Sequence, residues 1–437
     1  MRPPAATSPE GSRAGSARRL RLAFLSHTAM GGPFVVGSHH LATSLAASGC
    51  DVMHVSPPLS IAHLAQARDP FVRLRLQRWL RGGSNIAGVT DIVPFTAFPW
   101  ALARTCAPLR KAYVSTMLAS PTRSLGALKL EEATALVIDE PRLGDIARRT
   151  RDQIVVYRAT DLYSVMRNDP SIVDAERALC ERAHVLIGTS EAVATHLRRL
   201  SGRTVHVLGN GVDFAHFVRS PAGSTSAFDL PGERNQRAIY VGSFDDRFSA
   251  EAIRAVSRAL ADKFFILAGP GSERAAGEIS RRNVVALGSV AYGELPALLH
   301  QCSVGLLPLS AEASNVGRSP MKLFEYAAAG LAVASTSSLP LRTRAIPALH
   351  VADNDTRFPA AVAAAFACST DRAVLHAALE RARREDWSAK AATLRSLIEQ
   401  ALTVNASASD PSATSSGGRG NGPVSPSGSH SRHTSWS

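Results

Sequence analysis

The chain has 437 residues with 45% hydrophobic content, more than one ordinary core holds, so two domains of about 150–200 residues each are expected. Its 49 Lys and Arg against 36 Asp and Glu leave a net charge of +13, which favours acidic partners such as nucleotides, phospholipids or nucleic acid without choosing among them. No run of apolar residues reaches the ~18 needed for a transmembrane helix. The start lacks the apolar core of a secretory signal, so a cytoplasmic location is expected. The five cysteines, at 50, 106, 180, 302 and 368, have no metal-ligand spacing and read as reduced thiols.

Residues 1–18 hold almost nothing to bury and read as a disordered tail, as do residues 404–437. Between them the chain alternates. LRLAFLS (20–26) is a strand, HTAMGGPFVVG (27–37) a glycine-bearing loop, HHLATSLAASG (39–49) a helix and DVMHVSP (51–57) a strand. This is a βαβ unit. Further short apolar runs read as parallel strands: ALVID (135–139), IVVYR (154–158), HVLIG (184–188) and VHVLG (205–209), with DAERALCERA (174–183) as a helix among them. The first domain is thus expected over 19–218, followed by a linker at 219–236.

The pattern then restarts over 237–382. RAIYVGSF (237–244), KFFILAG (263–269), NVVALGSV (283–290), SVGLLPLS (303–310) and LAVAST (331–336) alternate with the helical SAEAIRAVSRAL (249–260), ELPALLHQC (294–302) and SPMKLFEYAAAG (319–330), with GPGSER (269–274) as a turn. A final helix at 383–403 is long enough to cross back to the first domain. Two α/β patterns in one chain predict two facing Rossmann-like, doubly wound domains with ligands at the strand ends in the cleft between them.

Three segments carry a resemblance: VYRATD (156–161), GNGVDFAHF (209–217) and SPMKLFEYAAAGLAV (319–333). In this order they resemble GT-B glycosyltransferases, most closely the family of the xanthan-pathway inverting β-glucuronosyltransferase and more distantly the teichuronic-acid-type glycosyltransferases. The resemblance covers roughly residues 20–400. It implies a UDP-sugar donor, a uronic acid in that family, and a saccharide or lipid-linked acceptor at the inner membrane face, in polysaccharide or glycan biosynthesis. The family's base is the aspartate of a Tyr-Arg-Ala-Ser-Asp segment, which corresponds to Asp161. Its Met-Lys pair at the nucleotide-sugar corresponds to Met321-Lys322, preceded by Ser319 and Pro320. The chain departs from the family at Glu325, where a glutamine is expected, at Leu309 in place of a tyrosine, and at Ala29-Met30-Gly31-Gly32 in place of a charged loop.

The residues themselves agree with this chemistry while leaving plainer roles open. A carboxylate after a strand, Asp161, is placed to deprotonate an acceptor hydroxyl, or to cap a loop. Lys322 near a helix start suits a diphosphate, or is a solvated surface lysine. Met321 is as readily a core side chain. Glu325 shares the face of Lys322, to hold a ribose, orient the lysine or form an ion pair. The turns at Gly242-Ser243 and Gly269 permit close approach to a phosphate, and equally serve ordinary strand-to-helix turns. His27, Gly31 and Gly32 fall on the acceptor side. No alternating acidic pair for a metal appears, so no essential metal and no cofactor beyond the donor substrate are expected. A retaining GT-B enzyme, which often carries two glutamates eight positions apart, would put the first at Gly317 and the second at Glu325, and the pattern is broken. A sugar-nucleotide epimerase or a non-enzymatic binding protein of the same architecture are the other readings. No nucleic-acid module is present.

The segment DPFVRLRLQRWLRG (69–82) reads as a basic amphipathic helix. Arg68, Arg73, Arg75, Arg78 and Arg81 accompany Phe71, Leu74, Leu76, Trp79 and Leu80. It suits anionic lipid, and equally a helix packed on the first domain.

Overall fold

The computed structural model describes residues 19–32, 35–118, 129–148, 152–163, 170–219, 228–337, 341 and 346–409. The tail 1–18 and residues 220–227 of the linker lie outside these residues. In the first half the strands are β1 (Arg21–Leu25), β2 (Asp51–Val55), β3 (Leu59–Ser60), β4 (Ser84–Ile86), β5 (Val89–Ile92), β6 (Phe95–Thr96), β7 (Ala135–Ile138), β8 (Ile154–Ala159), β9 (Val185–Gly188) and β10 (His206–Val207). The second half holds β11 (Arg237–Val241), β12 (Phe264–Ala268), β13 (Val284–Ala286), β14 (Val304–Leu307), β15 (Ala332–Ser335) and β16 (Leu349–Val351).

These form an eight-stranded sheet ordered β10-β9-β8-β7-β1-β2-β5-β4 and a six-stranded sheet ordered β13-β12-β11-β14-β15-β16, with a small β3–β6 pair. Among the described residues every strand pairing is parallel except the hairpin of β4 with β5. The central strands β7, β8, β9, β14 and β15 are buried at every position. That is why they are mostly apolar runs and not alternating ones, as a sheet covered on both faces requires. Both sheets start their order from the middle, so strand order reverses beside β1 and beside β11, and the loops after these strands open into a crevice.

The helices end where local chemistry ends them. Ser190 caps Glu191–Ser201 by accepting from Val193 N at 3.2 Å, and Gly202 closes it in the left-handed conformation. Ser249 caps Ala250–Ala259 in the same way through Ala252 N at 3.1 Å.

Four readings of the sequence are corrected. The hairpin β4–β5 and the β3–β6 pair were not expected, because Gly82-Gly83 and the prolines at 57 and 58 mask strands this short. The turn at 269–274 stops at Gly271, and Ser272–Ile279 is a helix. The last helix begins at Trp387, since Arg372–Arg383 is a separate helix that ends before the Glu385-Asp386 turn. It continues to Ser409, so residues 404–409 are helical and not part of a tail.

That last helix belongs to the first half. Trp387, Ala391, Leu394 and Ile398 are buried in one cluster with Phe24, Leu41 and Leu45. The chain therefore crosses between the halves twice, and the two crossings run side by side. Val212 N donates to Glu385 O at 3.0 Å, and Trp387 N donates to Val212 O at 3.1 Å. Gly211 must be a glycine here, because a Cβ would stand 2.5 Å from the Glu385 carbonyl oxygen.

Candidate active site

The C-terminal ends of β1, β7, β8 and β9 face the segment 309–322 of the second half. The contact between them is made of hydrogen bonds to named backbone atoms. Ser190 Oγ donates to Gly317 O at 2.7 Å. Asn210 N donates to Ser319 Oγ at 3.2 Å, and Asn210 Nδ2 donates to Ser319 O at 2.9 Å. Behind Asn210 lies Arg158, wholly buried, whose Nη2 donates to Asn210 Oδ1 at 2.8 Å and whose Nη1 donates to Asp139 Oδ2 at 3.1 Å. Burial raises the Asp139 carboxyl above its ordinary range, with Arg158 pulling the other way. A relay thus runs from the floor of the first sheet to the loop that precedes Lys322.

Asp161 follows β8 in this crevice and is half-buried. It takes part in no ion pair among the described residues. Burial pushes its carboxyl up, against the opposing pull of Arg318, Arg247 and the Thr160 hydroxyl. Asp161 thus sits beside the Thr160 hydroxyl and within the field of two arginines of the second half, with burial opposing their pull.

On the opposite wall Lys322 begins the helix Lys322–Ala328. Its Nζ donates to Glu325 Oε2 at 2.6 Å, with the lysine a quarter exposed and the glutamate buried. Glu325 therefore aims the lysine. Ser319 is buried and bound to Asn210, as above. Met321 packs on the cluster that contains Trp387 and Leu41, so it joins the two halves. Gly242 and Gly269 abut. A Cβ on Gly269, whose φ is 136°, would fall on the Gly242 carbonyl oxygen. These glycines set the close packing of two strand-to-helix turns, and Ser243 uses its carbonyl to accept from Tyr240 Oη at 2.9 Å.

His27 lies away from these groups, in a cavity of about 200 Å³ shared with Ser60, Arg75, Tyr113, Glu140 and Arg142. Gly31 has φ 58°, and a Cβ would stand 2.8 Å from Arg78 Nη2, so its loop backs onto a side chain of the basic helix. Gly32 is half-buried beside it, where a Cβ would approach the Ala29 carbonyl oxygen to 3.2 Å.

The basic helix is Pro70–Arg81, capped by Asp69. Its apolar side is only partly available to lipid: Val72 is buried, and Leu76 and Trp79 pack against Leu59 and Val93, whereas Phe71 and Leu80 are exposed. Arg78 is also turned inward, donating from Nη1 to Asp91 Oδ2 at 2.6 Å, with His54 Nδ1 on Asp91 Oδ1 at 2.8 Å. The expectation that all of these apolar residues and arginines face a membrane is corrected. The outward positions are Pro70, Phe71, Arg73, Gln77, Leu80 and Arg81. No single described helix is long and apolar enough to cross a membrane.

The sequence reading missed several residues at the crevice. Arg158 and Asn210 stand inside the motifs quoted for the resemblance, but their roles need the fold to be seen. His40 is buried, stacked on the Trp387 ring at 5.1 Å and 6°, and close enough to Lys322 for that charge and burial to lower it to about 4. Arg247 and Arg318 flank Asp161 from the second half. Among the described residues no group of three or more His, Cys, Asp or Glu side chains is arranged to hold a metal ion.

Two separate, mainly parallel sheets in two halves of the chain are the architecture of the GT-B fold. Residues 235–368 match the family model described as "Glycosyl transferases group 1". The solved structures agree in fold. A sucrose-phosphate synthase from Thermosynechococcus elongatus is similar with a TM-score of 0.67 at 18% identity, over 88% of this chain and 100% of that one. Anabaena HepE in complex with UDP and glucose gives 0.60 at 15%, over 87% and 100%. An α,α-trehalose 6-phosphate synthase from Burkholderia multivorans gives 0.61 at 13%, over 90% and 100%. No curated protein matches the chain. The chain has the GT-B fold, and its residues 235–368 are similar to the group 1 glycosyltransferases.

Proposed function

We propose that the protein transfers a sugar from a UDP-sugar to a saccharide or lipid-linked acceptor with inversion at the anomeric carbon, as a step of polysaccharide or glycan biosynthesis. The observation that supports this reading is the place of the half-buried Asp161, just after β8 and next to Leu162, which packs on Gly317 of the second half. In this reading Asp161 takes the proton from the acceptor hydroxyl as that oxygen attacks. Lys322, aimed by Glu325, stands at the diphosphate and stabilises the charge that grows as the glycosidic bond breaks. Gly242, Ser243, Gly269, Ser319 and Met321 shape the donor side. His27, Gly31 and Gly32 line the way in for the acceptor. The lysine does the work of a metal, so no metal is needed. The donor that the resemblance favours is a UDP-uronic acid. UDP itself is supported by the complex reported for the Anabaena relative in fold.

The retaining alternative is disfavoured by Gly317. A Cβ there would stand 3.0 Å from Leu162 Cγ and 3.3 Å from Val193 Cγ2, so a glutamate at this position would be crowded. The site of action in this reading is the cytoplasmic membrane face, reached through the outward arginines of the Pro70–Arg81 helix. The deciding experiment is a screen of UDP-sugars for hydrolysis and transfer, followed by anomeric analysis of the product. A product that keeps the donor's configuration rejects inversion.

A further inference from the structure

Arg318 closes the turn Ala313–Gly317 at the point where the second domain meets the first. Its neighbour Gly317 packs on Leu162, the residue after Asp161, and accepts from Ser190. The loop that carries Arg247 is tied to the same turn. Ser310 N donates to Arg247 O at 2.9 Å, and Asn315 Nδ2 donates to the same oxygen at 3.1 Å. Arg247, Arg318 and Asp161 therefore converge on one corner of the crevice.

The two arginines differ in what they touch. Arg247 is matched by Asp245, with Nε on Oδ1 at 2.9 Å and Nη2 on Oδ2 at 2.5 Å. The Arg318 guanidinium has no hydrogen bond, ion pair or ring contact among the described residues, although the residue is half-buried. Burial and the like charge of Arg247 both push it below the ordinary arginine value, and Asp161 is too far for an ion pair. A guanidinium stays charged in a protein, so desolvating one without a counterion is costly. That cost is offset when an anion arrives. A planar fork of donors matches a carboxylate or a phosphoryl group in a bidentate manner.

We propose that Arg318, backed by Arg247, clamps an acidic substituent, carboxylate or phosphoryl, carried by one of the two reacting sugars, and so selects an acidic sugar over its neutral counterpart. This rests on the glycosyl-transfer reading for the presence of sugars at Asp161. The acid has two sources, a donor with an acidic hexose and an acceptor with an acidic group.

The test is an equilibrium titration of the full chain and of Arg318→Gln with UDP, UDP-glucose and UDP-glucuronic acid, and separately with glucose, glucuronate and glucose 6-phosphate. The wild type is expected to prefer the acidic member of one set by about ten- to a hundredfold, the range of a charge-assisted hydrogen bond. Arg318→Gln is expected to reduce that preference to about twofold or less, with the affinity for UDP alone little changed. Whichever set carries the preference identifies the source. Arg318→Lys, which keeps the charge and loses the fork, is expected to fall between. Because Arg318 has no partner to lose, neither variant is expected to melt earlier than the wild type. Equal weakening of UDP and both UDP-sugars overturns the proposal, since the guanidinium then holds the diphosphate. So does a lowered kcat with a displaced pH profile and an unchanged preference, since Arg318 then acts on Asp161. A wild type without preference in either set also overturns it. Failure of the wild type to bind UDP or either UDP-sugar rejects the glycosyl-transfer reading instead, and the free acids then still report on the clamp.

Discussion

The guanidinium of Arg158 donates to the amide oxygen of Asn210, 52 positions along the chain, at 2.8 Å. Asn210 passes its own amide hydrogens to Ser319, three residues before Lys322. One asparagine thus couples a buried charge under the first sheet to the loop that sets the lysine. Asn210→Ala is expected to leave the Arg158 Nη2 donor unpaired at a cost of about 1.5–3 kcal/mol, because the lost bond has a charged donor. The expected result is a lower melting temperature together with weaker UDP-sugar binding. Calorimetric melting and a UDP titration read the two effects. A variant that melts earlier yet binds UDP normally would show that the relay holds the domains without positioning the donor loop.

Asp161 and Lys322 stand on opposite walls, and their variants are expected to fail differently. Asp161→Ala should still bind the donor while transfer falls by ~10²–10⁴, the usual contribution of a general base. Lys322→Ala should weaken donor binding and slow transfer as well, because its charge acts more strongly in the transition state. Burial raises the Asp161 carboxyl, so kcat/KM should fall on the acidic side at a pH above that of an ordinary aspartate. Single-turnover rates at saturating donor separate binding from chemistry. Near-normal transfer by Asp161→Ala removes it as the base.

Much of the architecture was legible because a two-sided parallel sheet is a local statement. ALVID, IVVYR and LAVAST are short runs dominated by apolar residues, and each holds a strand buried at every position. The motif GNGVD was legible as a string. Its reasons were not, since Asn210 answers to Arg158 and Ser319, and Gly211 to the carbonyl of Glu385, all far away in sequence. Arg318 carries no sequence signal. Only the fold brings it to Arg247 and Asp161 and leaves its guanidinium without a partner. The basic helix misled for the same reason. Its periodicity says that one face is apolar, but not whether that face meets lipid or Leu59 and Val93.

Gly317→Glu restores the two glutamates eight positions apart, yet it is expected to damage the protein. The new Cβ would press on Leu162 and Val193, and the carboxylate would enter a buried contact without a partner. The melting temperature and transfer should both fall, and the anomeric outcome should not change. A Gly317→Glu enzyme that is active and gives the opposite anomer would overturn the assignment of Gly317 as a packing position.

His40 makes stability depend on pH. Unfolded, it titrates near 6.5, while burial, then Lys322 and His216, hold the folded ring at about 4, with Asp386 pulling upward. The unfolded chain therefore takes up a proton first as the pH falls. The stabilising contribution is complete above about pH 6.5 and is lost on the way down to about pH 4, on the order of 3 kcal/mol in all. His39, lowered to about 3, adds to the same trend. His40→Phe keeps a flat ring against Trp387 and removes one titrating group. Its melting temperature should decline less steeply than that of the wild type between about pH 7 and pH 4.5, and parallel slopes would place the effect elsewhere.

The arginines of the Pro70–Arg81 helix divide into two kinds, and membrane association should divide with them. Arg73 and Arg81 point outward, so on the reading of a membrane-face enzyme they attract anionic lipid. With Val72, Leu76 and Trp79 turned inward, only Phe71 and Leu80 remain to insert, and binding should be mainly electrostatic. It should weaken sharply as salt shortens the screening length to about 10 Å at 0.1 M and less beyond. Arg73→Glu with Arg81→Glu should abolish sedimentation with anionic vesicles and leave the melting temperature unchanged. Arg78→Ala should do the reverse. It removes the partner of the buried Asp91, for which a loss of about 3–5 kcal/mol is typical, and takes nothing from the outer surface. Salt-independent sedimentation, or equal binding by the double variant, would reject this helix as the contact with lipid.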